Sequence, residues 1–119
     1  RNGMQYLSDH GERLLQLKIL NKEDVARALQ WLITIDGTEN DHFALQSFFQ
    51  NHLKALIKQK LLDRKHVEWL LGLINSPRAE RTVQFFSIHF SVLKESGLLT
   101  NKDISTLLSL LFRREALFP

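Results

Sequence analysis

The sequence predicts an all-α fold: six helices arranged as three stacked αα-hairpin repeats, forming a short α-solenoid or a bundle-like domain. Three observations predict it. Leucine dominates the apolar residues, and with only 5 glycines and 2 prolines there are few breakers, a balance that favours helix over strand. Apolar residues recur in steps of three and four, which places them on one stripe of a helix. A six-residue pattern also returns three times, at offsets of 42 and 37 residues.

The pattern is Leu20-Asn21-Lys22-Glu23-Asp24-Val25, then Leu62-Asp63-Arg64-Lys65-His66-Val67, then Leu99-Thr100-Asn101-Lys102-Asp103-Ile104. Each is a helix start. Asn21, Asp63 and Thr100 each carry a side-chain acceptor for a free N–H of the first turn. Asp24 and Asp103 stand three residues on, where a carboxylate reaches back to the cap and meets the positive end of the helix dipole. Leu20 with Val25, Leu62 with Val67 and Leu99 with Ile104 occupy the two positions of a hydrophobic staple.

These offsets also align the helices that come before. Tyr6 corresponds to Phe48 and Phe85, Leu7 to Phe49 and Phe86, His10 to His52 and His89, and Leu14 to Leu56 and Leu93. The helices are therefore expected at about 4–18, 22–35, 41–60, 64–75, 78–96 and 101–115. Asp36-Gly37-Thr38-Glu39-Asn40 reads as a loop, and Asn75-Ser76-Pro77 as a break with Ser76 capping and Pro77 opening the next helix. Gly97 ends the fifth helix, and Gly72 is expected to permit close helix packing. Short links make the two helices of a unit antiparallel neighbours. The chain is thus expected to be one domain, 1–119, with repeats at about 4–36, 40–75 and 76–115, cut from a longer protein because it opens on Arg1.

One helix pair cannot bury its stripe alone, whereas three stacked pairs share a core. The first helix is comparatively polar (Gln5, Ser8, Asp9, Glu12, Arg13), as an end cap would be. The last is rich in Leu107, Leu108, Leu110, Leu111 and Phe112, so a further repeat or a second copy of the chain is expected to cover the C-terminal end.

The aligned residues resemble degenerate αα-hairpin repeats of the broad HEAT, armadillo and tetratricopeptide type, although the tetratricopeptide consensus itself is missing. In composition the units are similar to leucine- and lysine-rich helical modules of large secreted effectors of intracellular bacteria. That resemblance implies a helical module of a larger protein acting in the cytoplasm, of a host cell if the likeness to effectors holds.

The residues carry little chemistry. Zero cysteines exclude a disulfide framework and a thiolate zinc site. The three registered histidines fall in a row, with neighbouring helix axes about 8–10 Å apart, too far for one ion at about 2 Å from each ligand. No G-x-S-x-G elbow, phosphate-cradling glycine loop or carboxylate pair in an apolar setting is present. No catalytic, cofactor-binding or metal-binding residue is expected, and no run of about 18 apolar residues spans a membrane. The function expected is a non-catalytic protein–protein interaction module. Its candidate partner-binding residues are Trp31 and Trp69, as anchors, and the basic cluster Lys54, Lys58, Lys60, Arg64 and Lys65. That cluster, in a chain of net charge +3, is also the basis of an alternative, nucleic-acid or nucleotide-phosphate binding. A third reading is an accessory helical domain of a larger enzyme.

Overall fold

The computed structural model describes the backbone of residues 2–34 and 39–117 and the side chains of residues 4–34 and 40–110. Among the described residues every regular element is a helix: α1 (Asn2–Gln16), α2 (Lys22–Thr34), α3 (Glu39–Lys58), α4 (Arg64–Gly72), α5 (Ala79–Ile88), α6 (Phe90–Glu95) and α7 (Asn101–Leu117). The chain divides into two compact units, Arg1–His66 and Val67–Pro119.

Among the described residues seven helices stand where six were expected, because the fifth is interrupted at His89, which has φ −106° and ψ 16°. The ladder nonetheless continues across the interruption: His89 N–H donates to the Phe85 carbonyl, and Leu93 N–H to the His89 carbonyl. α4 is also shorter than expected. It closes at Gly72 through tightened i→i−3 bonds from Leu73 to Leu70 and from Ile74 to Leu71. A turn over 76–78 then precedes α5, in which Ser76 Oγ accepts from Arg78 N–H at 3.0 Å and donates to the Leu73 carbonyl at 2.6 Å. The expected loop at 36–40 falls partly outside the described residues, and Asn40 already belongs to α3.

The helix starts form as the residues dictate. Asn21 and Asp24 exchange bonds: Asp24 N–H donates to Asn21 Oδ1 at 2.8 Å, and Asn21 N–H donates to Asp24 Oδ2 at 3.1 Å. Thr100 and Asp103 repeat that box, with Asp103 N–H to Thr100 Oγ1 at 3.1 Å and Thr100 N–H to Asp103 Oδ2 at 2.9 Å. In the middle copy His66 stands where the others have Asp, and its Nδ1 accepts from Asp63 N–H at 3.1 Å.

The preceding helix ends repeat as well. Lys18 (φ 56°), Lys60 (φ 60°) and Gly97 (φ 80°) all adopt the left-handed conformation, and their offsets are again 42 and 37 residues. Each closes a Schellman motif. Ile19 N–H bonds the Leu14 carbonyl, Leu61 N–H the Leu56 carbonyl, and Leu98 N–H the Leu93 carbonyl. Lys18, Lys60 and Gly97 N–H bond Leu15, Ile57 and Lys94. A helix end, a two-residue elbow and a helix start thus recur three times as one local structure.

In the first unit α3 is the central element, against which both α1 and α2 pack. A Cβ added at Gly11 would lie 2.9 Å from Phe48 Cδ1 and 3.0 Å from His52 Cδ2, so α1 approaches α3 at its glycine. Gln59 Nε2 donates to the Leu15 carbonyl at 3.1 Å, so the two helices run in the same direction with adjoining C-terminal ends. Lys22 Nζ meets Asp63 Oδ2 at 3.3 Å, linking the equivalent helix starts. α1 makes its more extensive contact with α3 rather than with α2, its partner in the hairpin. The core holds Val25, Leu29, Ile33, Leu45, Phe48, Phe49 and Leu56, all fully buried. Gly72, expected to bring helices together, is exposed, and nothing lies within 4 Å of where its Cβ would be. Gly11 does that work instead.

The second unit buries Val67, Leu70, Ile74, Ala79, Phe85, Phe86, Leu93, Leu99 and Leu107. Thr82, fully buried, satisfies its hydroxyl on the Arg78 carbonyl at 3.0 Å. Leu108 on α7 is exposed, and the side chains from Leu111 onward lie outside the described residues.

Candidate functional site

A groove of about 370 Å³ lies in the first unit, open between α1 and α2. It exists because both helices rest on α3 more than on each other. α1 contributes Met4, Tyr6, Leu7 and Leu14. α2 contributes Asp24, Arg27, Ala28 and Trp31, while Leu20 lines it from the elbow and Leu45 from α3. The volume is at the low end of the roughly 300–1,000 Å³ of small-molecule sites, and the lining is apolar save for the Tyr6 hydroxyl, one acid and one base.

Those two charges are not equivalent. The Asp24 carboxylate is committed to the Asn21 N–H in the capping box. Arg27 is exposed and has no hydrogen bond or ion pair among the described residues. The groove therefore offers hydrocarbon walls, an indole and one available guanidinium. Among the described residues that line it, no nucleophile is paired with a base.

Of the residues singled out from the sequence, Trp31 is half-buried in this groove, whereas Trp69 is exposed on α4. Trp31 belongs to the first unit and Trp69 to the second. Lys54 and Lys58 are exposed one turn apart near the end of α3, and Lys60 is the left-handed residue that follows. Lys65 is exposed, while Arg64 is half-buried and engaged. The acid inside the cluster is occupied. Burial raises the pKa of Asp63, but the bond from Lys22, the neighbouring His66 and the Lys65 N–H together hold it below the usual carboxylate value. His66 Nδ1 also lies 3.1 Å from Asp63 Oδ1.

The three registered histidines share a ring contact. Each packs against the aromatic ring four residues before it, at 4.5 Å for Tyr6–His10, 5.5 Å for Phe48–His52 and 4.5 Å for Phe85–His89. Burial grades along the series: His10 is exposed, His52 half-buried and His89 buried. Burial lowers the His52 pKa, against the opposing charge of Glu12, and lowers that of His89 to about 4. Among the described residues no three His, Asp or Glu side chains gather as metal ligands would.

Tyr6, Leu7 and Arg27 were not singled out as binding residues from the sequence. The signal for the first two was present: they align with Phe48 and Phe49, so an open face at those positions is a face the other copies bury. No known protein family, curated protein or solved structure matches this chain.

Proposed function

We propose that this protein is a non-catalytic helical-repeat module that binds partner proteins. The single observation that supports the reading is the threefold recurrence of one helix end, elbow and helix start, which is the means by which repeat proteins place helix pairs side by side. The apolar groove beside Trp31 supplies an anchor pocket of the sort that interfaces use. The setting implied by the resemblance, a helical module of a secreted bacterial effector acting in host cytoplasm, suits such a role. The test is affinity capture with the whole chain, compared with a variant carrying Trp31→Ala and Trp69→Ala. A partner recovered by the first and lost from a folded second supports the module; no partner above a bait-free control overturns it.

The exposed Lys54, Lys58, Lys60 and Lys65 favour a second reading, phosphate or nucleic-acid binding. It requires affinity for an oligonucleotide that falls steeply with salt and is abolished by Lys58→Glu with Lys60→Glu.

A further inference from the structure

The repeat itself says what the groove lacks. In the second copy Phe48 is 1% exposed, and α1 lies over it with Gly11 against the Phe48–His52 ring pair. The same pair in the first copy is Tyr6–His10, in the same ring contact, but there Tyr6 is 55% exposed. Leu7 and Leu14 are half-buried, while their counterparts Phe49, Leu56, Phe86 and Leu93 are buried. At the Tyr6–His10 ring pair the first copy thus presents to solvent the position that Gly11 of α1 covers on the second.

The geometry points to this groove as the seat of an amphipathic helix from a partner protein, lying along α1 as α1 lies along α3. The inference rests on the protein-binding reading above and names the partner's chemistry. The helix carries apolar residues that fill the space beside Leu7, Leu14 and Trp31. It has a small residue opposite Tyr6–His10, because the equivalent ring pair tolerates only a glycine at van der Waals distance. It bears a carboxylate toward Arg27, the groove's one uncommitted charge among the described residues. α1 itself has this character, with Gly11 flanked by Glu12 and, two residues before, Asp9. The space accommodates a few side chains rather than a whole helix, as for recognition by anchors one turn apart.

A blocked, dye-labelled peptide of residues 2–17 is the probe, titrated into the whole chain carrying Trp69→Phe so that Trp31 alone reports. The expected result is saturable binding in roughly the micromolar range, with a shift in Trp31 emission. Leu7→Arg in the protein, or Gly11→Leu in the peptide, weakens it by about tenfold or more. Arg27→Glu, at an exposed position that leaves folding intact, weakens it several-fold. Absence of saturable binding up to about 1 mM overturns the inference. So does an affinity indifferent to both Leu7→Arg and Arg27→Glu, the outcome if the peptide merely replaces α1 on α3. Binding of laurate but not of the peptide would make the groove a lipid pocket, and also overturns it. A captured partner retained by Leu7→Arg overturns the seat while leaving the protein-binding module standing.

Discussion

Gly11→Ala sets two effects of opposite sign against each other, and the structure decides between them. In a helix interior, alanine in place of glycine is favourable by about 1 kcal/mol. At Gly11 the new methyl would lie 2.9 Å from Phe48 Cδ1 and 3.0 Å from His52 Cδ2 and Nε2. Carbon atoms pack best at about 3.5–4.0 Å, so more than half an ångström of overlap has to be relieved. His52 is half-buried and its ring can swing outward. Phe48 cannot, because it is 1% exposed and held edge-on against Phe49 at 5.3 Å. Relief then means moving α1 off α3, and overpacking of this kind costs about 1–3 kcal/mol. The net expectation is a loss of about 1 kcal/mol, against a gain of about 0.5–1 kcal/mol for Gly72→Ala, where the added methyl meets nothing. Urea unfolding followed by far-ultraviolet circular dichroism separates the pair, and each kcal/mol corresponds to roughly 4 °C in melting temperature. In a Phe48→Leu background the penalty at Gly11 should shrink by about 1 kcal/mol, since the contact that causes it is gone. If Gly11→Ala proves as stabilising as Gly72→Ala, then α1 does not approach α3 at this glycine, and the account of the first unit is wrong.

Three further outcomes are expected. His89 is neutral in its buried site with a pKa lowered to about 4, so the unfolded chain takes up a proton near pH 6.5 that the folded chain refuses. Stability is then full above 6.5 and declines by about 2–3 kcal/mol as pH falls from 6.5 to 4; urea midpoints across that range should flatten in His89→Gln. Lys60→Gly should stabilise and Gly97→Ala destabilise, each by about 1 kcal/mol, because both positions are left-handed; equal melting temperatures would contradict the assigned helix ends. Asp103→Ala removes the acceptor for Thr100 N–H from a buried capping box and should lower stability by about 1–2 kcal/mol, measured by the same unfolding.

What was legible in the sequence is what is encoded locally. Asn21 with Asp24 and Thr100 with Asp103 fix helix starts through bonds between residues three apart, so residue type and spacing suffice. The interruption at His89 was not legible, since Ile88, His89 and Phe90 include no glycine or proline and the backbone bonds continue across it. The early end of α4 was hidden because Leu73 and Ile74 prolong the apolar stripe. The role of Gly11 was not legible, because only its neighbour on α3 makes it a contact. The groove escaped notice for a related reason. Tyr6, Leu7 and Leu14 have the character of core residues, and only the packing shows that the face they share is open.

The elbows have a consequence for how such a chain is assembled over time. Each is secured by bonds reaching no more than six residues along the chain, so it forms without waiting for distant segments to meet. Corners that set themselves independently let the straight stretches between them differ in length, as spacings of 42 and 37 residues already do, without disturbing the next corner.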